Sequence, residues 1–271
     1  DGGTVDDLLV YKEFAPQKYL LVVNASNIDK DYEWMKAQSD GFDVKIDNQS
    51  DKWGQIAVQG PKAEETVVGT LGMPEAAGLG FYEFCDICKD GKRVILSYTG
   101  EDGFEIYSSP EQTLEFWKKL IAAGVQPCGL GCRDTLRFEA GLPLYGDELS
   151  PEISPVMAGM GMFCKMDKEE FIGKEALLRQ KTEGMAKKLV GIELHDKAIP
   201  RAGYPVETED GTIVGVVTTG YHSITLGKSI CFALVDTACS TLGTTLYVAI
   251  RKRRFEGTVV KKRFYQTKYK K

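Results

Sequence analysis

The chain has 271 residues, 43% of them apolar and 27% charged, with a net charge of -5 and no low-complexity tract. That composition can fill one large core or two smaller ones, and it argues against a disordered chain or a generic nucleic-acid surface. Apolar runs such as residues 20–23 and 214–217 fall far short of the roughly 20 residues that a bilayer-spanning helix needs. Seven scattered cysteines do not resemble a disulfide framework and fit a reducing compartment, either bacterial cytoplasm or a mitochondrial matrix.

In chain order, Asp1-Gly2-Gly3 is a turn signal that leads straight into an apolar strand at residues 8–11 without an initiator Met, which reads as a chain lacking a preceding segment. Between turn and strand, Asp6-Asp7 is either an ordinary turn pair or a carboxylate held close to a ligand. Further strands are expected at 19–24, 56–59, 93–98 and 104–107. A helix begins at Asn27, with Trp34 and Met35 on its buried side, and a second begins at Pro61. A third runs over 110–123 with Leu114, Trp117, Leu120 and Ile121 on one stripe, and Gly124 ends it.

Residues 127–145 combine a glycine-rich approach with a short helix carrying Arg133, Asp134, Arg137 and Glu139. Two readings stand there: a surface helix with intrahelical ion pairs, or a carboxylate that ligands approach closely beside Ala140 and Gly141. The segment 173–180 precedes a polar stretch, 181–188, read as a linker. Beyond it come short strands at 189–194, 213–218, 229–234, 245–250 and 257–260, the texture of a small β-barrel or sandwich. The expected division is therefore 1–185 and 186–271, in an α+β chain.

Cys85 and Cys88 make a CxxC pair without a second ligand pair, which favours packing over a metal site. The glycines at 100 and 103 lie between strands and do not open a helix, so no dinucleotide or phosphate loop is expected. The basic runs RKRRF and KKRFYQTKYKK are read as a tail that binds nucleic acid or an anionic partner, or is simply solvated.

The blocks DGGTVDDLLVY, YLLVVNASN, IAVQGP, SYTGEDGFEIY, CGLGCRDTLRFEAGLPLYGDELS, FIGKEAL, RAGYPV and TTGYHSITLGKSI together resemble the aminomethyltransferase family, the T-protein of the glycine cleavage system. Members normally carry a further stretch before the DGG turn. The resemblance implies a folate-binding fold of three lobes around a central channel, with a C-terminal β-barrel domain. It implies transfer of a methylene carbon from the aminomethyl-dihydrolipoyl arm of the carrier H-protein to tetrahydrofolate, with release of ammonia and no metal. Other glycine cleavage components would meet the protein transiently, and neither nucleic acid nor membrane is an implied partner.

By the same resemblance Asp6 is the essential catalytic aspartate and Glu139 the glutamate that hydrogen-bonds the pterin. Arg201 belongs to the folate site or its glutamate tail. Lys168 stands where some relatives place a ligand-contacting arginine, and losing the guanidinium fork puts a strict role in doubt. Tyr269 aligns with a tyrosine that closes over the substrate, while Asn24 and Tyr98 are either tunnel-lining or structural. Three rivals share the fold: a folate-binding iron-sulfur assembly factor, a folate-dependent demethylase, and a non-catalytic folate-binding module. The first carries a KGCYxGQE-type cysteine motif, whereas this chain reads KEEFIGKEA from Lys168.

Overall fold

The computed structural model describes residues 2–13, 15–99 and 102–267. It divides into two compact units, Leu9–Cys128 with 267 and 1–8 with Gly129–Gln266. Tyr269 lies outside the described residues.

In the first unit, an antiparallel sheet is formed by β3 (Gly54–Gln59), β4 (Phe84–Lys89), β5 (Lys92–Tyr98) and β6 (Gly103–Ser108), in the order β3-β6-β5-β4. Side chains alternate across a strand, so the sheet has two apolar faces. Val94, Leu96, Phe104 and Ile106 enter a core completed by helices α2 (Ala63–Leu71) and α3 (Pro110–Ala122). Ile95 and Tyr107 point the other way, against Tyr11 of the hairpin β1 (Leu9–Lys12) and β2 (Tyr19–Val22). Helix α1 (Ile28–Ala37) leaves Trp34 and Met35 only half-buried.

Two expectations for this unit need correction. The buried stripe of α3 is Gln112, Phe116 and Leu120, whereas Leu114, Trp117 and Ile121 are exposed. Gln112 earns its buried place by donating to Lys89 O at 2.9 Å, a partner that no apolar-periodicity argument can see. The CxxC pair lies on a strand, β4, that was not expected. Residues three apart on a strand face opposite sides, so Cys85 packs toward the core and Cys88 is exposed.

In the second unit, α4 (Leu130–Glu139) leads through irregular chain to α5 (Lys174–Glu183) and then to a closed antiparallel barrel. Its strands are β7 (Lys187–Leu194), β8 (Pro205–Glu207), β9 (Ile213–His222), β10 (Ser229–Asp236), β11 (Thr245–Ile250) and β12 (Arg253–Val260), in the order β10-β7-β12-β11-β8-β9. Closure decides between the barrel and the sandwich. Val190, Ile192, Cys231, Ala233 and Val248 fill its interior. The neighbouring positions Leu189, Ile230 and Phe232 face outward onto Phe138 of α4.

The linker expected at 181–188 is mostly ordered: α5 runs to Glu183 and β7 starts at Lys187. The run RKRRF is not a tail either. Arg251 turns the β11–β12 hairpin and Arg253 and Arg254 begin β12, where Arg254 Nε lies 2.7 Å from Glu207. Charges on alternate strand positions face solvent while Phe255 faces the barrel interior, so a basic composition and a strand coexist.

Candidate functional site

Helix α4 ends in a left-handed turn. Leu142 N donates to Arg137 O at 2.9 Å and Gly141 N to Phe138 O at 3.0 Å, the paired bonds of a Schellman cap. Gly141 has φ +85°, and a Cβ there would come within 2.9 Å of the Arg263 backbone. Glycine is therefore required both for the turn and for the approach of the chain that follows β12. The cap fixes the last turn of α4, which presents Arg137, Phe138 and Glu139, all buried.

Arg137 is the hub of a buried polar network. Its guanidinium lies 2.7 Å from Glu148 Oε2, 2.7 Å from Asp134 Oδ1 and 3.4 Å from Asp147 Oδ2, and it donates to Thr219 Oγ1 at 3.2 Å. Glu148 is fully buried and saturated: it also accepts from Leu144 N at 3.0 Å, Thr218 Oγ1 at 2.6 Å and Thr219 Oγ1 at 2.7 Å. Consecutive residues of a regular strand cannot both face one carboxylate. Here Phe232 pairs with Thr219 and Ala233 with Val217, so Thr218 is the extra residue of a β-bulge that turns both hydroxyls to Glu148.

Burial and the neighbouring Glu148 charge push the Asp147 carboxyl above its ordinary value. Asp134 also accepts from the Tyr221 hydroxyl, and burial together with that carboxylate pushes the phenol up to about 12.

Glu139 is held at two points. Its Oε1 accepts from Ser223 Oγ at 2.5 Å, and its carbonyl accepts from Phe264 N at 3.1 Å and Tyr265 N at 2.9 Å. The side chain is only 5% exposed; among the described residues Oε1 is the oxygen that a protein donor occupies, and Oε2, which takes no such donor, is not sealed from solvent. A buried carboxylate with one oxygen satisfied is a place where an N–H donor gains a charge-assisted bond.

The segment that carries Asp6 is fastened at Thr4. Thr4 N donates to Ser150 O and Thr4 Oγ1 to Ile153 O, each at 2.8 Å, and a Cβ on Gly3 would fall 1.7 Å from Pro151 O. Asp6 itself is half-buried. Leu149, next to that fastening point, shares a core cluster with Phe138, the neighbour of Glu139.

Of the expected site residues, Asp6, Glu139, Lys168 and Arg201 lie in the unit of residues 1–8 and 129–266, whereas Asn24 and Tyr98 lie in the other. Arg201 is exposed, its guanidinium 5.4 Å from the centre of the Tyr221 ring. Lys168 is also exposed, and its carbonyl accepts from Lys174 Nζ at 2.6 Å. Tyr98 is buried in the sheet core, edge-to-face with Phe104, and its hydroxyl lies 3.4 Å from Asp102. Asn24 is half-buried at the start of a 3-10 turn. Two surface clefts, of about 400 Å³ beside Asp29 and Asp51 and about 170 Å³ between Lys228 and Arg263, are lined by neither Asp6 nor Glu139. Among the described residues no group of three or more His, Cys, Asp or Glu side chains could hold a metal.

Reading residue types alone misses Glu148, Thr218, Thr219 and Ser223. All four fall within the blocks GDELS and TTGYHSITLGKSI, so the nearest available signal is the density of hydroxyls and carboxylates in those two blocks.

Comparison with known proteins gives a family to this architecture. Residues 1–168 match the family model described as the GCVT N-terminal domain, and residues 187–266 match the glycine cleavage T-protein C-terminal barrel domain. The aminomethyltransferases of Alkaliphilus oremlandii and Thermoanaerobacter pseudethanolicus are 50% and 49% identical to it, each alignment covering 100% of this chain and 75% of the relative. The glycine cleavage system aminomethyltransferase T of Bartonella henselae superposes with a TM-score of 0.91 at 27% identity, over 99% of this chain and 74% of that one. The chain belongs to the glycine cleavage T-protein family of aminomethyltransferases.

Proposed function

We propose that this chain moves the methylene carbon of an aminomethyl group, carried as a thioether-like adduct on the lipoyl arm of H-protein, to tetrahydrofolate. The products are 5,10-methylenetetrahydrofolate, ammonia and the dihydrolipoyl carrier. Family membership supports the transferase class, and a bacterial cytoplasm suits the bacterial sources of the relatives. In this reading residues 1–185 form the folate-binding region and 186–271 the barrel domain.

The observation that carries the folate assignment is Glu139, a buried carboxylate with Oε1 occupied by Ser223 and Oε2 without a partner among the described residues. The 2-amino group and ring N–H of a pterin are the adjacent donors that such a carboxylate accepts. Arg201 extends the site with a cation toward an anionic tail. Asp6, on a segment fixed by Thr4, supplies negative charge to the iminium-like centre that develops as folate nitrogen attacks the aminomethyl carbon. Lys168 adds a second cation, and Asn24 and Tyr98, in the sheet unit, are proposed to line a ligand tunnel.

The test is a turnover assay of methylenetetrahydrofolate formation with lipoylated, aminomethylated carrier, alongside calorimetry with folate. Asp6→Asn is expected to fold, to bind folate as the parent does, and to lose turnover by about a hundredfold or more. Parental turnover in that variant overturns the role of Asp6. Glu139→Ala is expected to weaken folate binding by about tenfold or more, and an unchanged dissociation constant overturns the pterin assignment. Folate binding without ammonia release in the parent chain would support the non-catalytic module instead.

A further inference from the structure

The hairpin between β9 and β10 presents a hydroxyl whose only proton has one destination. Ser223 is 2% exposed. Its backbone closes the turn, N donating to Lys228 O at 2.7 Å and O accepting from Gly227 N at 2.9 Å. Its Oγ accepts from Leu226 N at 2.9 Å, so the turn itself aims the oxygen. Among the described residues Glu139 Oε1, at 2.5 Å, is the one acceptor for the proton that Oγ carries.

A single-proton donor committed in this way fixes the character of the carboxylate it faces. Oε1 must be an acceptor, and the hydroxyl has no second proton with which to satisfy Oε2. The carbonyl of Glu139 is pinned independently by Phe264 N and Tyr265 N, so backbone and side chain are held from two segments about 40 residues apart, on either side of strands β10 to β12. The carboxylate cannot swing to offer a different edge without breaking one of these bonds. A ligand edge that mixes a donor with an acceptor therefore meets an acceptor pair and is left with an unmatched lone pair, which costs far more than the loss of a surface contact.

We propose that Ser223 is a positioning residue that locks Glu139 as a pure acceptor, and that this lock selects ligands presenting two adjacent N–H groups over close analogues that lack one. The inference rests on the assignment of Glu139 to the pterin made above.

The experiment compares two probes by calorimetry on the full chain, 5-formyltetrahydrofolate and its 2-desamino analogue. With Ser223→Ala the dissociation constant for the first probe is expected to rise about tenfold, the worth of one bond to a charged group. The preference over the desamino probe should shrink by a comparable factor. Ser223→Thr, which keeps the hydroxyl, should restore both. In turnover the alanine variant should raise KM for folate and leave kcat within about twofold, because the hydroxyl touches no reacting atom. Ser223→Cys keeps the shape of the side chain with a weak donor and should behave as the alanine variant does.

If Glu139→Ala weakens folate binding while Ser223→Ala and Ser223→Cys bind the two probes as the parent does, the lock is refuted and the pterin assignment survives. An unchanged dissociation constant in Glu139→Ala overturns the assignment and the lock together. Loss of the fold in both the alanine and cysteine variants would make Ser223 a structural residue and overturn the proposal.

Discussion

Arg93 in the sheet unit and Arg137 in the barrel unit each gather more than one carboxylate, and the contrast between them separates decoration from architecture. Arg93 binds Asp86 bidentately, with its closest contact at 2.6 Å, reaches Glu13 at 3.1 Å and lies over the Trp53 ring, yet its side chain remains 37% exposed. Water competes for every one of those bonds. Arg137 meets Glu148, Asp134 and Asp147 at 8% exposure, and Glu148 is out of contact with solvent. The first arginine ties strand neighbours at a surface. The second joins the end of α4 to the bulge of β9, and thereby helps hold the turn that presents Glu139.

The sharpest way to break the comparison is to remove each guanidinium. Arg137→Ala leaves Glu148 charged and buried without its counter-ion, a type of loss that typically costs 3–5 kcal/mol. Urea unfolding should show a drop of that order, and a change below about 1 kcal/mol would mean that water enters to solvate Glu148. Arg137→Met leaves the same carboxylate stranded and should cost nearly as much. Arg93→Ala, by the same measurement, should cost between about 0.2 and 1 kcal/mol and lose most of that in high salt. Equal losses at the two positions would erase the distinction.

Between these extremes lies the bulge. Thr219→Val removes one of the two hydroxyls that satisfy Glu148 and strips a hydrogen bond from Arg137 as well, at a cost of about 1–3 kcal/mol. Thr218→Val removes a bond at 2.6 Å from a half-buried position and should cost less. If the two variants were equally mild, the bulge would owe its register to the backbone alone.

Much of this fold is legible in the sequence, because short alternating strands between glycine turns report sheet faces directly. The sheet strands over 54–59, 92–98 and 103–108 and the barrel strands are of that kind. What escapes is whatever a partner distant in sequence decides. The buried face of α3 is decided by Gln112 reaching Lys89 O, and β4 by its pairing with β5 rather than by a pattern of its own. The candidate site divides in the same way. Glu139 is visible through its family setting, but the hydroxyl at Ser223 and the paired threonines at Glu148 depend on a hairpin and a bulge. A bulge is an event between two strands, and no period along one strand announces it.

The smallest predicted effect concerns Asp147, and it tests how far the barrel unit's network accommodates charge. Burial, with the repulsion of Glu148 second, raises this carboxyl, while Arg137 and Thr219 work against the shift. A carboxyl raised in the folded state holds its proton more tightly there than in the unfolded chain. Folding is then relatively favoured while the proton is bound, and the advantage is lost as pH rises through the ordinary carboxylate range and just above it. Asp147→Asn removes this term, so the variant should match or slightly exceed the parent in stability at neutral pH, by a few tenths of a kcal/mol given that the side chain is 41% exposed. Its stability should also fall less than the parent's as pH rises through the ordinary carboxylate range and just above it. If Asp147→Asn instead lowers stability at neutral pH by more than about 1 kcal/mol, then Asp147 belongs to the counter-charge of Arg137 on equal terms with Glu148 and Asp134, and the cluster is an arginine shared among three full anions rather than between two with a reluctant third.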